Sequence, residues 1–217
     1  MIRLTWNRTA SAITKGLQSP TLVKQQILLA RQARAKKRQF RQQIWKAAKP
    51  QLRRESAGKC GYCEGKASHV AHCDVEHIRP KSVYWWLAYC YDNFVLACQI
   101  CNQAKSDDFP TLRKRLRAPK PPKDLLRSKA RLGAFAQSLF PDPLDLPAVT
   151  KLHRVFEGER PLLLDPYLGQ PERSFAWKED RARKEVKLIG RGKAGKRYVQ
   201  AAEKHLELNR EELRGWR

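Results

Sequence analysis

Two Cys-x-x-Cys pairs enclose the part of this chain whose residue types could do chemistry. Cys60 and Cys63 form the first pair, and Cys98 and Cys101 form the second. Four thiolates complete the tetrahedral coordination of a zinc ion and leave no position open for a reactant, so such a site is structural. Redox-active cysteines are the alternative, but a second pair at the same spacing argues against them. The pattern therefore predicts one structural Zn²⁺.

Two cysteines and two histidines near these pairs are left outside the predicted site. We interpret Cys73 and Cys90 as packed or free thiols, since cysteine is often a buried apolar residue. His69 and His72 are close enough in sequence to compete as zinc ligands. We interpret them as incidental.

Polar residues between and after the pairs suit hydrolysis of a phosphodiester, in which water attacks phosphorus and loses a proton. His77 suits the base, because a neutral imidazole accepts protons near pH 7. Glu76 and Asn102 offer the oxygen ligands that Mg²⁺ or Mn²⁺ prefers. Adjacent strand residues point to opposite faces, so Glu76 and His77 share a site only at a strand end or a distortion. Lys105, one helical turn after Asn102, is expected to reach a phosphate.

Taken with Asn93, these motifs resemble the HNH endonucleases of the ββα-metal, or His-Me finger, class, in the form stapled by zinc. The resemblance implies that His77 is the general base, that Glu76 and Asn102 bind the catalytic Mg²⁺ or Mn²⁺, and that Asn93 braces the loop carrying the base. Two positions depart from the commoner pattern: the third motif residue is Asn102 rather than histidine, and the acid is Glu76 rather than aspartate.

A narrower resemblance is to the HNH nuclease subunit of Septu-type and retron-linked anti-phage systems. The residues that carry it are Glu76–Lys81, Ala97–Asn102 with Phe109-Pro110, Asp165-Pro166-Tyr167, and Leu208-Asn209-Arg210. Those nucleases work beside an ATPase subunit, so the resemblance implies a similar partner and a role in antiviral defence.

The distribution of charge predicts a polyanionic partner. The net charge is +24, from 45 basic and 21 acidic residues. Residues 1–59 hold 15 Lys and Arg against one acid, residues 110–131 hold nine against one, and residues 60–109 hold four against six. Two basic segments beside a mildly acidic centre are typical of phosphate contacts around a cation site. The predicted nucleic-acid contacts are Arg34, Lys37, Arg38, Arg41, Arg79 and Lys81.

Three function classes remain open at this point. The first is a nuclease acting on nucleic acid, with DNA favoured over RNA. The second is a non-catalytic zinc ribbon that binds nucleic acid, and the third is a zinc-stapled scaffold that docks to another protein. A Glu-His pair and two asparagines at the family spacing favour the nuclease. We expect a cytoplasmic protein, because there is no long apolar stretch and no signal-like N-terminus.

The predicted fold is α+β, with a central ββα-metal unit. The expected divisions are a basic helical arm at 1–57, the HNH unit with its zinc site at 58–110, and a linker with a mixed α/β region at 111–217. Apolar spacing predicts a long helix from Ser19-Pro20-Thr21 to Lys49-Pro50. Further expected elements are a helix at 51–57 ended by Gly58, a stiff linker at 118–123, a helix at 124–140 broken by prolines at 141–147, a strand near 185–189 and a terminal helix at about 198–214.

One motif resembles a nucleotide-binding loop but lacks a required residue. Residues 190–197 nearly match the phosphate-binding loop G-x-x-x-x-G-K-[ST], but Arg197 replaces the hydroxyl that would hold magnesium. We therefore expect a flexible basic loop there rather than a nucleotide site.

Overall fold

A computed structural model describes residues 1–66 and 73–217 and mixes helices with two small antiparallel sheets. The predicted α+β class is confirmed. Within the described residues, none of the helices combines the length and the apolar character that crossing a membrane requires.

The N-terminal segment contains three short helices rather than one long one. They are α1 (Thr21–Arg31), α2 (Gln42–Lys46) and α3 (Lys49–Glu55). The long-helix prediction was therefore wrong. The basic run at 34–38 offers no large apolar residue to a core, and α1 ends at Arg31, just before it. Pro50, expected near a helix end, instead lies in the first turn of α3, where its missing N–H is tolerated. Ala57 (φ 49°) and Gly58 (φ 71°) follow α3, and their N–H groups donate to the carbonyls of Arg54 and Arg53. The helix stop therefore begins at Ala57, one residue before the predicted Gly58.

The central unit is a ββα arrangement. Strand β1 (Asp74–His77) pairs antiparallel with β2 (Phe94–Ala97), and α4 (Gln99–Lys105) follows β2 after one residue. In this register His77 lies opposite Phe94 at one end of the sheet and Asp74 lies opposite Ala97 at the other. The connection between the strands is buried and rich in aromatic residues, so the molecule's core continues through it.

The C-terminal region contains more regular structure than the sequence predicted. Its elements are α5 (Lys129–Gln137), α6 (Leu146–Gly158), α7 (Pro171–Ser174), β3 (Phe175–Asp180), β4 (Glu185–Gly190), α8 (Gly192–Leu206) and α9 (Glu211–Trp216). The prediction missed α6, because Pro147 is not a break but lies in its first turn, with Asp145 as the N-cap. It also missed β3. The strand near 185–189 is confirmed, whereas the terminal helix is two helices separated at Glu207, which has a φ of 51°.

The near-match to a phosphate loop is explained by close packing. Gly190 ends β4 and Gly195 lies in the first turn of α8, so the segment is not the flexible loop we expected. A Cβ at Gly190 would lie 2.2 Å from the backbone carbon of Gly195, and one at Gly195 would lie 2.3 Å from the Ser174 oxygen. The glycines are therefore needed for the contact between strand and helix.

Buried polar contacts join the three predicted divisions of the chain. Arg8 and His153 both bind the carboxylate of Asp92, which belongs to the central unit. Glu55 of α3 accepts hydrogen bonds from the hydroxyls of Tyr91 (2.9 Å) and Tyr167 (2.8 Å). The N-terminal segment thus packs on the central unit and the C-terminal region. The boundaries at 57/58 and 110/111 stay predictions.

Candidate active site and cysteine cluster

The four predicted zinc ligands lie together. The Sγ atoms of Cys60, Cys63, Cys98 and Cys101 are all within 4.8 Å of one another and buried. Cys98 caps α4 and Cys101 lies in its first turn, so β2 and α4 fix both. A Zn–S distance of about 2.3 Å in a tetrahedron requires S···S separations of about 3.8 Å. The Cys63–Cys98 separation is 3.8 Å. The donor set and its dimensions fit zinc.

The remaining cysteines are separate from this cluster. Cys73 and Cys90 are buried free thiols, and burial raises the pKa of Cys73 to about 11 and that of Cys90 well above its ordinary value. Both are thus protonated, packed side chains. His69 and His72 lie outside the described residues.

His77 ends β1 and its ring is fixed by three contacts. Trp45 of α2 and Phe94 of β2 meet the ring edge-to-face, with centroids 5.1 and 5.2 Å away. Nε2 lies 2.9 Å from the carbonyl oxygen of Ala88. Since a carbonyl only accepts, Nε2 must carry the proton, and Nδ1 keeps its lone pair. Burial lowers the pKa of His77 to about 3, so the imidazole is neutral at pH 7.

Glu76 and Lys105 form a buried ion pair beside His77. The Lys105 ammonium lies 2.7 Å from Glu76 Oε1 and 3.0 Å from the carbonyl oxygen of His77. Burial raises the pKa of Glu76, and the charge of Lys105 opposes that shift. Because Lys105 is wholly buried, it faces Glu76 rather than the solvent where we expected it to meet a phosphate.

Asn93 forms paired hydrogen bonds with the backbone that follows His77. Its Oδ1 accepts from the Arg79 N–H (2.8 Å) and its Nδ2 donates to the Arg79 carbonyl (2.9 Å). Its own carbonyl accepts from the N–H of Ile78 at 2.9 Å. Asn93 is 0% exposed, so these groups have no access to water as a substitute partner. This is the geometry that a bracing role requires.

Asn102 is the most accessible of the predicted catalytic residues. It lies on α4 next to Cys101, and its backbone N–H donates to the Cys98 carbonyl at 2.9 Å. The side chain is partly exposed, and its amide forms no hydrogen bond within residues 1–66 and 73–217. The cysteine cluster therefore fixes the helix turn that presents a free amide oxygen.

One predicted nucleic-acid contact was wrong. Arg79 is 1% exposed, and its Nε donates to Glu159 at 2.7 Å. No sequence pattern indicated this partner, because Glu159 lies 80 positions away from Arg79. Lys81 lies over the Trp45 ring (5.5 Å from its centroid), beside His77. Arg34, Lys37 and Arg41 are exposed, whereas Arg38 is half-buried against Trp85.

Sequence reasoning missed several residues that pack on the central unit. Trp45 was an apolar residue in a basic segment, and no pattern indicated that it would contact His77. Lys46 and Lys49 have exposed side chains next to Asp74, each 3.9 Å from its carboxylate. Their place in the basic segment was the one available signal.

The motifs of the narrower resemblance also have structural roles. Asp165 accepts from the N–H groups of Tyr167 and Leu168 and so shapes the turn. Asn209 repeats the geometry of Asn93, since its Oδ1 accepts from the Leu188 N–H (2.8 Å) and its Nδ2 donates to the Leu188 carbonyl (2.9 Å).

The central unit carries a neutral base and a carboxylate on β1, an amide oxygen on α4 and a four-sulfur cluster at the start of α4. Comparison with known proteins agrees with this assembly. Residues 60–108 match the family model described as HNH endonuclease. The Septu protein PtuB of Bacillus mycoides (strain KBAB4) is 33% identical over 84 residues, which cover 32% of this chain and 28% of that protein. The chain thus spans less than a third of that relative's length. No solved structure matches. The match to the HNH endonuclease model therefore lies within residues 60–108, the part of the chain whose motifs implied it.

Proposed function

We propose that this protein is a metal-dependent endonuclease that hydrolyses phosphodiester bonds in nucleic acid, with DNA the favoured substrate. The observation that carries the proposal is the state of His77. Its Nε2–H is bound to the Ala88 carbonyl, its ring is neutral, and Nδ1 is left to accept a proton.

In the proposed reaction, His77 Nδ1 takes the proton from the water that attacks phosphorus. Glu76 and Asn102 would hold Mg²⁺ or Mn²⁺ through oxygen atoms, and a carboxylate with an amide fits such hard cations. When bound, the ion would neutralise charge that develops on the leaving oxygen. Lys105 orients Glu76 through their ion pair. Asn93 keeps the backbone after His77 in place.

The four cysteines would hold a structural Zn²⁺, which the compact cluster fits. Binding there ties the loop at Cys60 and Cys63 to the start of α4. Because an apo site of four thiols has no comparable cross-link, metal binding would contribute directly to folding.

The proposed nucleic-acid surface lies on the N-terminal segment and the loop after His77. It comprises the predicted residues Arg34, Lys37, Arg38, Arg41 and Lys81, and we add Lys46 and Lys49. Cation–phosphate contacts of this kind depend steeply on salt and little on base sequence. Arg79 is excluded because it is buried and paired.

The similarity to the Septu protein PtuB supports a role as the nuclease of an anti-phage defence system. By the same reasoning, we propose that an ATPase subunit is its partner. The alternative is a zinc ribbon that binds nucleic acid without cutting it. The geometry of His77 favours the nuclease, because simple binding does not need a buried base with a fixed tautomer.

The test is nicking of supercoiled plasmid with Mg²⁺ or Mn²⁺. His77→Ala should reduce the rate by about 10²–10⁴-fold, the usual contribution of general-base catalysis, while DNA binding remains. His205→Gln is the matched control, because His205 contacts Asp108 at the surface rather than the site. Equal cleavage by the two variants would contradict the proposal, and binding without cleavage by the unmodified protein would favour the zinc ribbon.

A further inference from the structure

Glu159, at the end of α6 and outside the family match, is bonded to the segment that follows His77. Its carboxylate is 1% exposed and accepts three hydrogen bonds. The donors are Arg79 Nε (2.7 Å), the Tyr84 hydroxyl (2.6 Å) and the backbone N–H of Leu116 (2.8 Å). A buried carboxylate with three short bonds is held in one position.

Arg79, the first donor, is two residues after His77. Its guanidinium lies 3.7 Å from the centroid of the Phe156 ring, and its Nη2 donates to the Phe156 carbonyl at 3.0 Å. Its backbone is bonded on both sides to Asn93. The chain just after the base is therefore fixed through its backbone by Asn93 and through its side chain by α6.

Tyr84, the second donor, begins the turn that presents the partner of His77. The Leu87 N–H donates to the Tyr84 carbonyl (2.9 Å), and the Ala88 N–H donates to the Trp85 carbonyl (3.3 Å). The Ala88 carbonyl then binds His77 Nε2. Glu159 thus contacts both the chain that follows the base and the turn whose carbonyl sets the tautomer of the base.

We propose that Glu159 is a positioning residue for His77, which fixes the Nε2–Ala88 hydrogen bond and so the direction of Nδ1. The inference rests on the proposed role of His77 as the base. The C-terminal region, which lies outside the family match at 60–108, would then help to set the catalytic geometry.

Glu159→Gln tests the charge with little change of shape. Either orientation of the new amide turns its NH₂ group toward at least one of the three donors, so at least one contact is lost. Tyr84→Phe is a milder variant, since it removes one hydroxyl and keeps the ring. Glu157→Gln is the control, because it removes a charge from the exposed side of the same helix. Zinc content and the melting temperature establish that each variant is folded.

The first readout is the imidazole Nε2–H of His77, observed by nitrogen-15 NMR and assigned through its absence in His77→Gln. In Glu159→Gln and Tyr84→Phe, this proton should exchange with water at least about tenfold faster than in the control. The second readout is cleavage, where kcat should fall by about 10²-fold in Glu159→Gln, as for a misplaced catalytic group, with KM and the metal midpoint unchanged.

Unchanged exchange at His77 in both folded variants would overturn the proposal, even if cleavage were lost. So would a loss of cleavage that appears only as a higher KM. The NMR readout does not depend on activity. If the unmodified protein cut no nucleic acid, the proposed function would fail while the contact between Glu159 and the His77 loop would still be tested.

Discussion

Two asparagines in this protein form the same pair of backbone hydrogen bonds, but only one of them is near the base. Asn93 binds the N–H and C=O of Arg79, and Asn209 binds those of Leu188. Replacing each with alanine removes this pair of backbone bonds at two distances from His77, and Asn209→Ala also removes a side-chain bond to Glu203. We predict that both variants lose stability and that only Asn93→Ala loses turnover per folded molecule.

The cost of Asn93→Ala follows from burial. The variant leaves one N–H and one C=O without partners, at about 1–3 kcal/mol each, so about 2–6 kcal/mol in all. Asn209 is partly exposed, so water can replace some of its bonds. The cost of Asn209→Ala should therefore be about 2 kcal/mol or less, the lower end of the range for Asn93→Ala. A typical domain has about 5–15 kcal/mol of stability, so Asn209→Ala should fold, and Asn93→Ala should keep a folded fraction that its unfolding curve measures. Displacement of His77 by about 1 Å should then reduce turnover by about 10²-fold.

Urea unfolding measures the free energies, and single-turnover cleavage with enzyme in excess measures the chemical step. Rates are corrected for the folded fraction, and metal titrations accompany them. The reasoning is refuted if the corrected rate of Asn93→Ala equals that of Asn209→Ala. A shift in the metal midpoint of Asn93→Ala would instead make Asn93 a ligand.

Other predictions use the same assays. Cys101→Ser should lose zinc and unfold the central unit, whereas Cys73→Ser should keep one zinc per chain by elemental analysis. Asn102→Ala should need more Mg²⁺ for half-maximal cleavage, and Mn²⁺ should partly restore the rate. An unchanged Mg²⁺ midpoint would show that Asn102 is not a ligand of the metal. Lys37→Glu should flatten the log–log salt dependence of duplex binding by about 0.9 if Lys37 contacts one phosphate, and no change would exclude that contact. The pKa of His77 is about 3 in the folded protein and about 6.5 when unfolded. Stability should therefore fall as the pH drops below about 6.5, by about 2 kcal/mol at pH 5, and urea titrations of His77→Gln should lack this loss.

The sequence was sufficient to predict the central unit, because its constraints are local. Ligand spacing brings Cys98 and Cys101 to one helix turn, and Pro80 limits the strand that ends at His77. The position of Asn93 just before an apolar strand led to the expectation that it braces the loop, and its bonds to Arg79 have that geometry.

What could not be predicted depends on contacts between distant segments. We predicted that Arg79 is an exposed cation, because its partner Glu159 lies 80 positions away in the sequence. We expected Lys105 to reach a phosphate because helical spacing predicts the position of its side chain on α4. The spacing does not predict which neighbouring residue the side chain contacts. Prolines at 50 and 147 were read as breaks, although the same residue favours the first turn of a helix.

The position of Glu55 changes the meaning of the N-terminal charge. It is the one acid among the first 59 residues, and its carboxylate binds tyrosine hydroxyls and neutral amides. It therefore neutralises no lysine or arginine in the described chain. Of the 15 cations in that segment, Arg8, Lys46 and Lys49 lie near a carboxylate, which leaves twelve without an ion pair among the described residues. Mobile counterions must balance these charges in the free protein, and any polyanion that displaces them gains the entropy of their release. Bound nucleic acid should accordingly copurify with the protein at low ionic strength and be removed by washing at high ionic strength.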